Sequence, residues 1–250
     1  MGNKVELKMK DIAVGNQQNR FPIMFMSSEP STNLNMKIFA ISFLFSVTLV
    51  GFVNSVYYSD VTQLMHDSGV DSNDIATNSV FGLLKITFDN NVIADMGNEL
   101  TPTQTKNEPT LDWDADENEF YTILNLDPDA PGRDDPFNAL LNTWMVGNIP
   151  GKDVKSGRAI FEYIPAATAK GRGLNRYVIL VYKQPGILKF EEHPIDRYHF
   201  EGRQRFPFVK FVEKYDLGNP VAANYYRTQY DSFVLEVYEQ LQCCFELNKD

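Results

Sequence analysis

Two cysteines and three histidines among 250 residues leave little material for several kinds of chemistry. The cysteines are adjacent, Cys243-Cys244, and neighbouring cysteines close a strained ring, which argues against an ordinary structural disulfide. A domain of this size does not need one for export. No Asn-x-Ser/Thr sequon occurs, so N-glycosylation is not expected. There is no CxxC, no HExxH and no phosphate-binding glycine loop, and so no local signature of a metal, a nucleotide or any other cofactor. No Ser/His/Asp or Cys/His constellation is suggested either. A hydrolase built on Asp127 and Asp129 is therefore the weakest reading, and the chain is read as non-enzymatic.

Positive charge is also scarce. The formal net charge is −10. Without residues 1–55 the remainder holds 18 bases against 30 acids. Such a body excludes nucleic acid and an anionic membrane surface as partners bound through bulk electrostatics. What is abundant is core material: 43% hydrophobic and 13% aromatic residues. That supports one packed domain plus additional N-terminal sequence, expected as a monomer.

The N-terminal sequence divides into three. Residues 1–35 show neither periodicity nor a domain pattern and read as an unstructured upstream extension. Residues 36–55 begin Met36-Lys37, continue through an uncharged apolar core and end Val53-Asn54-Ser55, a secretory signal pattern with cleavage near Ser55. The alternative is an uncleaved single-pass anchor, since the stretch just spans a bilayer and Lys4, Lys8, Lys10, Arg20 and Lys37 would keep the N-terminus cytoplasmic. Residues 56–80 read as a short helix and linker.

From residue 81 onward the spacing predicts short strands at Phe81–Phe88, Phe120–Leu126, Trp144–Ile149, Ile160–Tyr163 and Arg176–Lys183, separated by Gly/Pro/Asp turns. The pattern points to a mostly β domain over 81–250, an antiparallel sandwich with a few peripheral helices. One helix is expected from Pro207 to a cap at Gly218. A C-terminal helix is expected from an Asp231 cap, with an apolar stripe running from Phe233 to Phe245.

The stretch Asp127-Pro128-Asp129-Ala130-Pro131-Gly132-Arg133 follows the strand Phe120–Leu126 directly. Alone, it is a proline turn capped by acids, with Asp129 and Arg133 as a local ion pair. Two further segments change that. Leu100-Thr101-Pro102-Thr103-Gln104 lies upstream, and Gly171-Arg172-Gly173-Leu174-Asn175-Arg176-Tyr177 leads into the strand Val178–Tyr182 downstream. This order closely resembles the phosphatidylethanolamine-binding protein family, which includes the Raf kinase inhibitor proteins. Phe211–Gly218, Pro220–Tyr226 and Tyr238–Leu241 extend the resemblance over Phe81 to Leu241.

The resemblance implies a small pocket for a phosphoryl head group or an acetate-like anion. In the family it is built from an aspartate, two histidines and two tyrosines. By position these become Asp127, Tyr177 and Tyr238, but Thr143 and Asn175 stand where the histidines are expected. Thr168-Ala169 replaces a proline-rich wall. Arg176 is read as a brace for the Asp127–Pro131 turn. Threonine and asparagine donate hydrogen bonds but cannot become cationic, so anion affinity should be lost while the pocket survives in shape. The expected ligand-binding set is Asp127, Asp129, Thr143, Asn175, Tyr177 and Tyr238. The implied function is that of a secreted lipid or small-molecule binding protein, similar to the antennal members proposed as odorant carriers. The alternative is a protein partner: a modulator of a kinase or a serine protease. His193 and His199 fall in an acidic segment and read as a solvated loop.

Overall fold

The computed structural model describes residue 80 and residues 82–241. The extension, the signal or anchor segment, the 56–79 linker and Cys243-Cys244 lie outside the described residues. Among those described, no helix is long and apolar enough to cross a membrane.

Eight strands among the described residues form two sheets. Strands β1 (Lys85–Phe88), β2 (Val92–Ala94) and β3 (Thr110–Asp112) make a small antiparallel sheet in the order β2-β1-β3. Strands β4 (Phe120–Asp127), β5 (Leu141–Pro150), β6 (Arg158–Phe161), β7 (Asn175–Lys183) and β8 (Ala222–Thr228) make the main sheet, in the order β6-β5-β4-β7-β8. All four of its pairings are antiparallel. The two sheets meet along β8, whose outer edge bonds to Gly82–Leu84 and to 97–100: Leu84 N–H donates to Ala223 O and Leu100 N–H to Arg227 O.

The main sheet is buried on both faces, which is why β4 and β7 read as unbroken apolar runs rather than alternating ones. Along β7, Tyr177, Ile179 and Val181 pack with Ile86, Phe88 and Trp144 beneath the small sheet. Val178, Leu180 and Tyr182 pack with Phe206, Phe208, Phe211 and Tyr215 on the other face. The expected sandwich is thus present on one face. The opposite face is closed by helix α1 (Phe208–Lys214) and its aromatic neighbours.

Helix α1 begins immediately after Pro207, whose carbonyl accepts from Phe211 N–H. It ends at Tyr215, with Gly218 at φ 65° beyond it. Helix α2 (Phe233–Gln240) starts one residue later than its expected cap implies. Asp231 still serves that end: its Oδ1 accepts from Phe233 N–H at 2.9 Å. Its Oδ2 accepts from the Thr103 amide and hydroxyl, which ties the helix to the Leu100–Gln104 segment. Val237 and Leu241 of the expected stripe pack on Ile164, Ala167 and Phe200, and α2 thereby forms one wall of a cavity.

Candidate functional site

The cavity lies where β4, β5 and β7 end against α2. Asp127 is the last residue of β4, Asn175 opens β7, and Tyr238 sits on α2. Thr143 reaches the site through an irregularity in β5. Asn125 faces Trp144 and the next β4 residue, Leu126, faces Asn142, so Thr143 is the extra residue of a bulge. Bulges re-aim side chains beside functional sites. Here the Thr143 hydroxyl donates to Asn125 O at 3.1 Å.

Asp127, Thr143, Asn175, Tyr177 and Tyr238 all line this cavity, whose volume is about 30 Å³. The rest of the wall is mainly apolar, with Leu141, Ile164, Ala167, Phe200 and Leu241. The Asp127 carboxylate accepts from Asp129 N–H at 2.8 Å and from the Asn175 amide at 3.0 Å. The two tyrosines converge on one residue: Tyr177 OH accepts from Ala167 N–H and Tyr238 OH donates to Ala167 O, each at 3.1 Å. Thr168, standing in the implied proline-rich wall, pins that wall to the end of β8 through the Thr228 hydroxyl at 2.9 Å.

Asp129 does not line the cavity. Its carboxylate is held by the Arg176 side chain, Nε to Oδ2 at 2.8 Å and a terminal nitrogen to Oδ1 at 2.6 Å, with Arg176 N–H adding a third bond. Both side chains are buried, 3% and 9% exposed. Arg133, the ion-pair partner expected for Asp129, is instead exposed. The turn is too short for Asp129 to face two ways, and the strand neighbour wins. Arg176 therefore braces the turn as expected, and Asp129 belongs to the brace rather than to the lining.

Among the described residues, the lining contains no Lys, Arg or His. Burial pushes the Asp127 carboxyl up to about 7, against the opposing pull of the Asn175 and Asp129 hydrogen bonds, and the nearby Asp129 charge adds to the rise. Burial likewise raises Tyr177 well above its ordinary value, with the Asp127 charge second. The Asn175 Oδ1 is buried and has no hydrogen-bond partner.

Two contributors carried no signal in the sequence. Phe200 comes from the irregular connection between β7 and α1, where no period exists to betray a buried face. Arg203, in the same connection, is fully buried. Its guanidinium donates to six backbone carbonyls at 2.8–3.5 Å: Asn142, Thr143, Glu162, Ile195, Asp196 and His199. It fastens the loop that carries Phe200 to the bulge that carries Thr143. His199, as expected of a solvated loop, is exposed and pairs with Asp196 at 2.6 Å.

A wider cleft of about 660 Å³ lies over Trp144 and Tyr163. Two of its rim cations are already matched with acids, Lys152 with Asp112 and Arg197 with Glu162. It lacks the convergence of buried polar groups that marks the smaller cavity.

Comparison with known proteins agrees with this geometry. The family model described as phosphatidylethanolamine-binding protein matches residues 85–226. The chain belongs to the phosphatidylethanolamine-binding protein family. It is 40% identical over 159 residues to the Drosophila melanogaster protein named "Putative odorant-binding protein A5", covering 64% of this chain and 76% of that one. The solution structure of CG7054 matches at 35% identity with a TM-score of 0.56, over 68% of this chain and 99% of that one. The crystal structure of carboxypeptidase Y inhibitor complexed with its cognate proteinase matches in fold at 19% identity and a TM-score of 0.58, over 70% of this chain and 97% of that one.

Proposed function

We propose that this protein is an exported, non-enzymatic carrier that binds a small hydrophobic ligand by a polar end seated at Asp127, Thr143, Asn175, Tyr177 and Tyr238. The observation that carries the reading is the wall of the cavity. It retains the aspartate and both tyrosines implied by the family resemblance but, among the described residues, contains no cation to hold an anion. A dianionic phosphoryl group needs charge-assisted donors, and two neutral side chains beside a buried carboxylate do not supply them. An apolar wall with a few convergent polar groups is the usual make-up of a small-molecule site. The name of the Drosophila relative, odorant-binding, is consistent with such a ligand and with export.

Native mass spectrometry of the protein purified from secreting cells tests both parts. A mature chain beginning near Val56 with a retained small organic molecule is the expected result. An intact 36–55 segment in a membrane fraction would favour the anchor. A ligand-free secreted protein that binds no small molecule would overturn the carrier reading.

A second reading is favoured by two exposed aromatic side chains next in sequence or nearly so to lining residues. Phe137 precedes Asn138 and is 50% exposed, and Tyr198 lies two residues before Phe200 and is 52% exposed. These would suit a protein partner docking beside the cavity mouth. Replacement of both by serine would weaken such a partner and leave small-molecule binding unchanged.

A further inference from the structure

The cavity is small and electronegative, and together these features specify the polar end of its ligand more closely than the carrier reading does. Its volume of about 30 Å³ is room for roughly two water-sized groups. A phosphoryl or carboxylate head is of the wrong sign for it.

The hydrogen-bonding inventory points one way. Asp127 offers a carboxylate that accepts from Asp129 N–H, the Asn175 amide and the Tyr177 hydroxyl, leaving further lone pairs. Asn175 commits one of its two amide hydrogens to Asp127, which fixes the orientation of the group and leaves Oδ1 as a buried acceptor without a partner among the described residues. The Thr143 proton is spent on Asn125 O and the Tyr238 proton on Ala167 O. Asn138, half-buried at the margin, is the lining amide that can serve either way. The two buried arginines close to the site aim their donors elsewhere, Arg176 at Asp129 and Arg203 at backbone carbonyls. The interior therefore presents mainly acceptors and, above about pH 7, one negative charge.

We propose that the cavity seats the terminal ammonium of an aliphatic primary amine, held by the Asp127 carboxylate and Asn175 Oδ1. The alkyl chain leaves between Phe200, Leu241 and Ile164. A hydroxyl is also a small donor, but it leaves the buried carboxylate unmatched. Buried charges are paired as a rule, and the ammonium is the head group that supplies the missing partner. A –CH2–NH3+ terminus has two heavy atoms and matches the available volume. This inference rests on the carrier reading, and its test separates the two.

Isothermal titration of the full secreted chain at pH 8 with hexylamine, 1-hexanol, hexanoate and inorganic phosphate is the experiment. The expected result is hexylamine bound about tenfold or more tighter than hexanol, with no measurable binding of hexanoate or phosphate. Asp127→Asn should then weaken hexylamine by about tenfold or more and weaken hexanol distinctly less. Should that variant fail to fold, the side-chain carboxyl carbon of Asp127 in the wild type gives an independent readout by NMR, and it should shift with added hexylamine. An Asp127 resonance unmoved by saturating hexylamine overturns the proposal. So does hexanol bound as tightly as hexylamine. Hexanoate bound as tightly as hexylamine overturns it too, while the carrier reading stands; phosphate bound as tightly overturns both. Absence of binding by all four overturns both.

Discussion

Asn175 donates its side-chain amide to the Asp127 carboxylate across 3.0 Å, and no cation among the described residues lines the cavity they share. The position where the family resemblance implies a histidine thus still serves the aspartate, but as a neutral donor. Charge that an imidazolium would have balanced is left on Asp127, and burial moves its pKa up to about 7.

Stability should consequently depend on pH through this one group. The folded pKa lies above the unfolded one, so the folded state binds the extra proton between about pH 4 and pH 7. Stability from Asp127 is full below that window and is lost as pH rises through it. The slope is at most about 1.4 kcal/mol per pH unit, and the total is on the order of 4 kcal/mol. Asp127→Asn removes the buried charge. Its new amide can donate to the Asn175 Oδ1 that is unpartnered in the wild type, after a flip of Asn175. The variant should be as stable as the wild type near pH 4 and more stable above pH 7. Denaturant midpoints for the two proteins across pH 4–8 measure this, and parallel profiles would refute it.

Asn175→His restores a group that can carry charge next to Asp127. An opposite charge favours the ionised carboxyl, so Asp127 should titrate lower than in the wild type. Inorganic phosphate should also bind measurably at pH 6. One charge-assisted bond is worth about 1.5–3 kcal/mol, or roughly tenfold to 150-fold in affinity. Calorimetry with phosphate distinguishes this variant from the wild type. Equal affinity of wild type and Asn175→His would mean that the lost histidine is not what weakens anion binding.

Which parts were legible beforehand follows from where local pattern and tertiary role coincide. Strands β4 and β7 are buried on both faces, so their apolar runs announce themselves. Asp127, Tyr177 and Tyr238 sit in motifs whose order is specific to the family. Strand β8 did not announce itself, because Ala222-Ala223-Asn224 has weak β propensity. Its outer edge pairs instead with the Gly82–Leu84 backbone through Ala223, a contact that local sequence does not encode. Strands β2 and β3 have three residues each, too few to show a period. The bulge at Thr143 depends on the register between two strands, and Phe200 and Arg203 are buried by a loop path that no periodicity encodes. The Asp129–Arg133 pairing was the local expectation, and Arg176 displaced it by approaching across the sheet end.

Asp129→Ala should be far more damaging than Asp127→Asn, although the two carboxylates are neighbours in one turn. Asp129 takes three bonds from Arg176, two of them charge-assisted, and both side chains are buried. Removing one member of such a pair costs about 3–5 kcal/mol. Asp129→Asn keeps part of the bonding but loses the charge, and should fall between. Urea denaturation of the three variants at pH 7 orders them. Asp129→Ala within about 1 kcal/mol of the wild type would show that the pair is not what holds the turn.

Arg203 gives the last prediction, because it couples stability to the site without lining it. Its guanidinium reaches six carbonyls and lies 5.6 Å from the centre of the Phe161 ring. Burial lowers its pKa to about 10, with Asp196 and Glu162 opposing the fall, so it remains charged at neutral pH. Arg203→Lys preserves the charge but offers a compact ammonium in place of a planar fork. Most of the six carbonyls then lose their donor, and a cost of about 2–4 kcal/mol is expected, with Arg203→Ala at the upper end or beyond. Arg197→Ala is the control: Arg197 and Glu162 are both about half exposed at 3.4 Å, and an exposed pair contributes about 0–1 kcal/mol. Arg203→Lys should also lower affinity for any ligand of the cavity, because it loosens the loop that places Phe200 relative to Thr143. A variant that loses stability but keeps wild-type ligand affinity would confine Arg203 to the scaffold and detach the loop from the site.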